Sequence, residues 1–223
     1  MINSGAAAVE DIFNGPDRIK FPTLGAALAE KVYAAGMERN GDIVKGAAYA
    51  PGLGSVVSPQ WTPNMINFNP GAVSLSTSYL TQQMLAKNRI ANILSVQAAV
   101  APETSKIYHS IGEKSGGSYS IKLINYNGSP KTISIKFAGG SVKAAGSNKQ
   151  TFNSGGVTNL QASINFSTPT AVATSTGPLA VSKIVGSDMV QLELGPYTFT
   201  VVSVGGSGDE KQHRQSASES EEN

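Results

Sequence analysis

The apolar residues of this chain recur with two different periods, and the change from one period to the other constrains the fold more than any other feature. Before Asn92, leucine, valine and alanine return every three or four residues, which is the repeat of an α-helix. After Asn92, apolar residues alternate with polar ones, which is the repeat of a β-strand with one covered face. The sequence therefore predicts an α+β chain, with helices and a buried strand first and an antiparallel β-sandwich afterwards.

The first helix is predicted from a single apolar face. Leu24, Leu28 and Val32 recur at helical spacing, and the Arg39-Asn40-Gly41-Asp42 sequence is typical of a helix end followed by a turn. Since the helix carries its charges between these apolar positions, two of its carboxylates are interpreted as solvated: Glu30 and Glu38.

A buried strand, a loop and a second helix are predicted next. Residues 43–50 form a short, nearly continuous apolar run that Pro51-Gly52 ends, which is typical of a strand covered on both faces in a parallel sheet. Prolines interrupt residues 52–71, so this stretch is predicted as an aromatic loop. A second helix is expected from about Ser74.

The second half of the chain predicts two pairs of strands. Residues 119–123 and 133–137 alternate around an Asn127-Gly128 turn and predict a β-hairpin, and residues 190–194 and 197–204 predict a second pair. Short strands with Gly, Ser and Thr turns favour an antiparallel sandwich of about 100 residues. The chain is thus divided into residues 1–92, a sandwich at 93–205, and a disordered acidic tail at 206–223.

Composition excludes several classes of site. The chain has no cysteine and only two histidines, His109 and His213, so neither a disulfide scaffold nor a Cys- or His-rich metal site is expected, and no cofactor is predicted. Its apolar runs are shorter than the roughly 20 residues of a membrane span. With 17 basic and 15 acidic residues and no basic stripe, it offers little to a nucleic acid.

Several strings resemble one known family. Residues 24–54 and 60–89 resemble the end of the catalytic barrel in fungal-type α-L-arabinofuranosidases of glycoside hydrolase family 51, and residues 118–137 and 192–204 resemble strands of that family's C-terminal β-sandwich. The strings that carry the first part of the resemblance fall in the family's order: Met37-Glu38-Arg39-Asn40, Tyr49-Ala50-Pro51, Gln60-Trp61-Thr62-Pro63 and Ser76-Thr77-Ser78-Tyr79.

The resemblance implies hydrolysis of terminal α-L-arabinofuranosyl groups from arabinan or arabinoxylan with retention of configuration. Retention requires a nucleophilic carboxylate and an acid/base carboxyl about 5–5.5 Å apart. By position, Glu10 corresponds to the family's nucleophile, although Asp11 stands where an aromatic residue is expected. The alternative for Glu10 is an ordinary surface carboxylate. The family's acid/base glutamate has no counterpart in this chain.

The resemblance also implies an incomplete barrel. A (β/α)₈ barrel takes eight strand-helix units and roughly 250 residues, whereas about 90 residues precede the sandwich here. We therefore expect a partial (β/α) barrel remnant from a truncated gene product or gene model, inactive by itself. The helix face of Leu24, Leu28 and Val32 and the strand at 43–50 should then lack their usual neighbours, so that the chain self-associates or leaves its first 90 residues loosely packed.

Two aromatic residues are candidates for sugar binding. Trp61 lies in a loop that would border the family's active face, but an aromatic side chain in a proline-rich loop more often fixes that loop to the core. Tyr49 ends the predicted strand at the same face, and ordinary packing explains it equally well. His109 is interpreted as a polar strand residue.

A non-catalytic reading remains open beside the enzymatic one. In it, the sandwich is a carbohydrate-binding or purely structural module. An extracellular location is implied by the resemblance, although Met1 to Val9 has no secretory signal. The Asn165-Phe166-Ser167 sequence fits the acceptor pattern for N-glycosylation, which would be relevant in a secreted protein.

Overall fold

The described residues form three packed layers and one small additional sheet. The structure is a computed structural model that describes residues 19–58, 61–138, 141–180, 184–185 and 188–206. Two helices cover one face of a six-stranded sheet, and a three-stranded sheet covers its other face. The predicted order of helices followed by antiparallel strands is confirmed. Glu10 and the predicted acidic tail from residue 207 onward lie outside the described residues.

Local signals set the ends of the helices. Helix α1 spans Leu24–Arg39, and its N-cap Thr23 accepts a hydrogen bond from the backbone N–H of Ala26 at 3.2 Å. The next free N–H groups also find acceptors, because Leu24 and Gly25 donate to the carbonyls of Ala162 and Leu160. The other helices are α2 (Thr77–Lys87), which Ser76 caps, and the short α3 (Pro102–Ser105).

The segment predicted as a loop contains a small sheet. Strands β1 (Leu53–Ser55) and β2 (Ile66–Asn69) pair in parallel, and β3 (Ala72–Leu75) pairs antiparallel to β2. Helix α2 consequently begins three residues later than predicted. The prediction of a structureless loop was wrong because Pro63 lies in the connection between β1 and β2 and Pro70 lies in the turn between β2 and β3, where they interrupt no hydrogen-bonded ladder.

The predicted strand at 43–50 does not form. These residues have no regular secondary structure, and Ile43 is 77% exposed. A strand requires a neighbour that continues its hydrogen-bond ladder, and no described segment pairs with this one. An apolar run alone was therefore insufficient to predict a strand.

The sandwich consists of two antiparallel sheets. The larger has the strand order β4-β5-β6-β12-β8-β9 and the smaller has the order β10-β11-β7. Their strands are β4 (Asn92–Ile93), β5 (Ile107–Glu113), β6 (Tyr119–Asn125), β7 (Lys131–Lys136), β8 (Val142–Phe152), β9 (Thr174–Pro178), β10 (Ile184–Val185), β11 (Met189–Leu194) and β12 (Thr198–Gly206).

The two predicted strand pairs are not hairpins. In each pair the two strands lie in different sheets, and their connection forms a corner where the chain passes from one sheet to the other. Strand β6 pairs with β5 and β12, while β7 pairs with β11, so both the β6–β7 and the β11–β12 connections cross from one sheet to the other. Buried Asn125 joins the two corners, since its amide donates to the carbonyls of Ser129 at 2.9 Å and Gly195 at 2.7 Å. The alternation identified the strands, but it carries no information about which strand lies beside which.

The helices belong to the same core as the large sheet. Leu24 and Leu28 of α1 are 0% exposed and pack in one cluster with Ile124, Phe152 and Phe199 of the sheet. The expectation that the helix face of Leu24 and Leu28 lacks neighbours was therefore wrong, because the sandwich itself covers it. The expected self-association or loose packing of the first 90 residues stays a prediction. A second cluster fills the space between the sheets and includes Ile121, Leu123, Val190, Leu192 and Val202.

Candidate functional site

A buried carboxyl group links the two helices to the segment that carries Tyr49. Glu30 of α1 accepts a hydrogen bond from the Ser78 hydroxyl at 2.8 Å, and the Tyr49 hydroxyl lies 3.5 Å from the same oxygen. The other carboxylate oxygen of Glu30 is buried and has no hydrogen-bond partner among the described residues. The interpretation of Glu30 as a solvated carboxylate was therefore wrong.

Burial controls the protonation of this cluster. It raises the pKa of Glu30, and the hydrogen bond from Ser78 and the charge of Lys31 only partly oppose it. Burial, together with the nearby Glu30 carboxylate, raises the pKa of Tyr49 to about 12. Tyr49 thus keeps its proton at neutral pH and remains a hydrogen-bond donor.

The neighbouring Lys31 is buried as well. Its side chain is 3% exposed, and its ammonium donates to the amide oxygen of Gln82 in α2 at 2.6 Å. Burial lowers the pKa of Lys31 to about 8, although the carboxylates of Glu30 and Glu38 act in the opposite direction. This lysine therefore joins the two helices at an electrostatic cost.

Replacing Lys31 with methionine is expected to stabilise the protein at pH 7. A pKa displaced from 10.5 to about 8 corresponds to about 3 kcal/mol, of which the lost bond to Gln82 would offset about 1 kcal/mol. Because the unfolded chain binds more protons between pH 8 and pH 10.5, the free energy of unfolding of the parent chain should rise with pH in that window. Urea unfolding at pH 7, 8, 9 and 10 measures both effects.

The control is Lys87→Met, since Lys87 is an exposed lysine at the end of α2. The rise of the free energy of unfolding with pH should persist in Lys87→Met and be reduced in Lys31→Met. Burial also lowers the pKa of Lys122, so part of the rise should remain. A Lys31→Met variant that keeps the full rise, or is less stable than the parent at pH 7, would contradict the prediction.

The loop that carries Trp61 is anchored at its base by an asparagine. Asn64 is 2% exposed and donates to the Trp61 carbonyl at 2.9 Å, and it lies so close to Gly54 that a Cβ there would meet its amide at 2.3 Å. The indole of Trp61 is 59% exposed. Most of this ring is therefore accessible, which does not fit the interpretation that its burial fixes the loop.

Backbone contacts bring the segments of Tyr49 and Trp61 together. The N–H groups of Met65 and Ile66 donate to the carbonyls of Pro51 and Gly52 at 3.1 and 2.9 Å. The stretch that follows Tyr49 therefore lies beside the stretch that follows Trp61. The structure thus brings together the segments that follow two of the three predicted site residues, and the third, Glu10, lies outside the described residues.

A second polar cluster joins the end of α1 to the sandwich. Glu38 forms an ion pair with Lys122 and also accepts a hydrogen bond from Ser110, and Lys122 is 1% exposed. Beside it, Arg39 donates to the carbonyl of His109 in β5. His109 is thus a strand residue, and burial, with the charge of Arg39, lowers its pKa. The interpretation of Glu38 as solvated was wrong.

The periodicity of α1 contained a signal for these contacts. Lys31 and Glu38 follow Leu24 by seven and fourteen residues, so they share the helical face of Leu24 and Leu28. A charged residue on an apolar face is either paired or at a helix end, and here both are paired. Sequence reasoning missed them because it counted only the apolar members of that face.

The sandwich has a polar cleft of about 250 Å³. It lies where strands β8, β9 and β11 approach the corner at Gly195. Its lining is polar and carries both signs of charge, and includes Lys149, Thr151, Asn153, Ser175, Glu193 and Thr198. Among the described residues, no group of three or more His, Cys, Asp or Glu side chains could hold a metal ion.

A comparison with protein families identifies the family of this chain. Residues 9–197 match the family described as alpha-L-arabinofuranosidase C-terminal domain. Over 123 residues, the chain is 42% identical to the probable alpha-L-arabinofuranosidase A of Aspergillus terreus and 37% identical to alpha-L-arabinofuranosidase A of Aspergillus niger. Each match covers 54% of this chain and 19% of the relative. The chain therefore matches about a fifth of the length of these relatives.

Solved structures agree with this match. The chain is similar to an arabinose-bound α-L-arabinofuranosidase of glycoside hydrolase family 51, with a TM-score of 0.73 and 28% identity over 88% of this chain and 30% of the other. It shares its fold with the family 51 arabinofuranosidase of Xanthomonas axonopodis pv. citri, with a TM-score of 0.63 and 17% identity over 86% and 38% of the two chains.

Proposed function

Because the chain belongs to the α-L-arabinofuranosidase C-terminal domain family, we propose that it works as the C-terminal portion of an enzyme that removes α-L-arabinofuranosyl groups from arabinan or arabinoxylan. The observation that carries this proposal is the family match over residues 9–197, which includes the three helices and strands β1 to β11. The similarity to an arabinose-bound enzyme, with a TM-score of 0.73, supports it.

The proposed reaction proceeds with retention and needs two carboxyl groups about 5–5.5 Å apart. We propose Glu10 as the nucleophile, which attacks the anomeric carbon while the acid/base partner protonates the leaving oxygen. Glu30 and Glu38 do not suit the partner role. Each is already held by neighbouring side chains. The two also lie about 12 Å apart along the axis of α1, which is too far for them to act as a pair with each other. The chain alone is therefore proposed to be inactive.

Tyr49 and Trp61 are proposed to contact the arabinose unit. The exposed indole of Trp61 offers a flat apolar surface to the sugar's C–H groups, and Tyr49 offers a hydroxyl that stays protonated at neutral pH. The Glu30 carboxylate, which also accepts from Ser78, lies 3.5 Å from the Tyr49 hydroxyl and restrains it. These residues would bind and orient the substrate without taking part in proton transfer.

A carbohydrate-binding module without catalysis is the second candidate. The polar cleft on the sandwich favours it, because Lys149, Thr151 and Glu193 would offer both donors and acceptors to sugar hydroxyls. In this case, sugar binding would depend on the cleft and would be unaffected by changes at Trp61.

An extracellular location is part of the proposal. No helix within the described residues is long and apolar enough to cross a membrane. The Asn165-Phe166-Ser167 acceptor sequence is consistent with secretion, but the Asn165 side-chain oxygen already accepts hydrogen bonds from the N–H groups of Ser167 and Thr168 at 2.9 and 3.0 Å. Glycan attachment there would have to keep this turn.

The test combines turnover with binding. The purified chain is expected to show no release of aryl alcohol from an aryl α-L-arabinofuranoside, and to bind arabinan about tenfold more weakly after Trp61→Ala, the loss expected when about 1.4 kcal/mol of ring contact is removed. Tyr33→Ala is the matched control, since Tyr33 is another exposed aromatic residue, at 73%.

Each outcome separates the candidates. Turnover by the chain alone that Glu10→Gln abolishes would contradict the proposed inactivity and support the nucleophile. Turnover that survives Glu10→Gln would reject Glu10. Binding that Lys149→Ala weakens and Trp61→Ala does not would favour the module, and the absence of both binding and turnover would leave a structural role.

A further inference from the structure

The sandwich carries two acceptor sequences for N-glycosylation in different surroundings. One is Asn165-Phe166-Ser167, in the loop between β8 and β9, and the other is Asn127-Gly128-Ser129, in the corner between β6 and β7. A glycan is attached to the side-chain nitrogen of the asparagine, Nδ2. The two sites therefore differ by what each amide and its neighbours already hold in the folded chain.

The amide of Asn165 builds a turn with its oxygen. Oδ1 accepts hydrogen bonds from the N–H groups of Ser167 at 2.9 Å and Thr168 at 3.0 Å. Among the described residues, Nδ2 makes one hydrogen bond, which it donates to the Ser163 hydroxyl at 3.4 Å. Because a glycan replaces only one of the two hydrogen atoms on Nδ2, it leaves the turn intact and keeps a donor for Ser163.

This turn is also held from outside the acceptor sequence. The Thr168 hydroxyl donates to the Ser163 carbonyl at 2.9 Å, and Ser163 forms a β-bridge with Thr23 at the start of α1. Phe166 packs edge-on against Phe21, with their ring centroids 6.2 Å apart. None of these contacts uses the asparagine nitrogen, so the turn does not depend on it.

The surface beside Asn165 suits a hydrophilic group. Asn165 is half-buried, and the preceding Ile164 is buried in the core that α1 shares with the large sheet. The four residues that follow Phe166 are all exposed: Ser167, Thr168, Pro169 and Thr170. A glycan on Asn165 would therefore border an exposed stretch of small, mostly polar residues and would displace no buried apolar side chain.

The corner that holds Asn127 is more closely packed. The Asn127 carbonyl accepts from the N–H of Tyr197 at 3.1 Å, and a Cβ at Gly128 would lie 3.0 Å from the Tyr197 hydroxyl. Pro130 restricts the backbone of Ser129, the residue that supplies the acceptor hydroxyl. This acceptor sequence therefore has little freedom to bend around its own amide.

We propose that Asn165 is an N-glycosylation site and that Asn127 is left unmodified. The inference rests on the proposed extracellular location, since the transfer takes place in the secretory pathway. Nδ2 of Asn165 attacks C1 of the first sugar of an oligosaccharide that is linked to a lipid pyrophosphate. The C1–N bond forms while the bond from C1 to the pyrophosphate oxygen breaks, the lipid pyrophosphate leaves with the electron pair, and a proton passes from Nδ2 to a base of the transferase.

Secretion from yeast tests the site. The chain of 223 residues is secreted behind a leader sequence, and an endoglycosidase trims each glycan to a single N-acetylglucosamine. Peptide mass spectrometry should find this sugar on the peptide that contains Asn165 and not on the peptide that contains Asn127. Ser167→Ala should abolish the modification, because it removes the acceptor hydroxyl but keeps the backbone N–H that closes the turn.

Ser129→Ala is the matched control, since it removes the hydroxyl of the other acceptor sequence and should leave the glycan in place. The chain produced in bacteria carries no glycan and should unfold at the same urea concentration as the glycosylated chain, because attachment keeps the turn. An unmodified Asn165, a glycan on Asn127, modification that survives Ser167→Ala, or a lower urea midpoint for the glycosylated chain would each overturn the proposal.

This site and the proposed function fail in different measurements. The yeast secretory pathway supplies the transferase whatever the natural location of the chain, so an unmodified Asn165 would reject the glycosylation site alone. Arabinan binding is measured on the bacterial chain, which carries no glycan, so the absence of binding would count against the proposed function and leave the glycosylation site standing.

Discussion

Replacing Glu38 with glutamine is expected to lower the free energy of unfolding by about 3 kcal/mol. The substitution leaves Lys122, which is 1% exposed, without its carboxylate inside the helix–sheet interface. Removing one member of a buried ion pair costs about 3–5 kcal/mol, and the partial exposure of Glu38, at 23%, places this pair at the lower end. Urea unfolding at pH 7, followed by circular dichroism, measures the loss.

Two further variants identify the cause. Asp42→Asn removes an exposed carboxylate just beyond α1 and should change stability by less than about 0.5 kcal/mol. The double variant Glu38→Gln and Lys122→Met removes both charges and should recover most of the loss. A double variant as unstable as Glu38→Gln alone would show that the charge of Lys122 is not responsible.

The buried pair also bears on the proposed site. Glu38 contacts Lys122 and Ser110, which lie on adjacent strands of the large sheet, and thereby fixes the end of α1 on the sandwich. Eight residues earlier, the same helix holds Glu30 beside Tyr49. The sandwich therefore contributes to the position of a proposed sugar contact through one rigid helix, without lying next to it.

The parts of the fold that the sequence predicted correctly depend on local signals. Asn40 marks the end of α1, and the alternating runs locate β6, β7, β11 and β12. The pairing of those strands was wrong, because Asn127-Gly128 and Gly195-Pro196 are compatible both with hairpins and with corners between sheets. The corners are stabilised by contacts between residues that are distant in the sequence, since the amide of Asn125 binds both corners.

The errors at residues 43–50 and 52–71 have one physical origin. Whether an apolar run becomes a strand depends on a partner that completes its hydrogen bonds, and that partner is not encoded in the run itself. Residues 53–55 form a strand because β2 lies beside them, although their own sequence, Leu-Gly-Ser, predicts none.

The candidate site was predicted only in part for a similar reason. Tyr49 and Trp61 were identified from the resemblance, whereas Glu30, Lys31 and Ser78 were not, since a charged residue on a helix is usually solvated. Their burial depends on the second helix, α2, which packs across α1 more than 40 residues later in the chain. Glu10 stays a prediction.

The second large effect is expected for Leu28→Ala, which should lower the free energy of unfolding by about 3–4 kcal/mol. Leu28 is 0% exposed and lies in the cluster that α1 shares with Ile124 and Phe199. Truncating a buried leucine typically costs 2–5 kcal/mol, because contacts are lost and a cavity remains. Leu53→Ala is the control, since Leu53 is 64% exposed and should change stability by less than about 0.5 kcal/mol.

The shape of the unfolding transition shows whether the helices and the sandwich unfold together. Because the helices and the large sheet share one core, Leu28→Ala should shift a single transition that far-ultraviolet circular dichroism and tyrosine fluorescence report together. A sandwich that kept its midpoint while amide exchange in α1 became fast would mean that the helices unfold independently. In that case the ion pair of Glu38 and Lys122 would not hold α1 in place on the sandwich. The sandwich would then not contribute to the position of Tyr49, the proposed sugar contact.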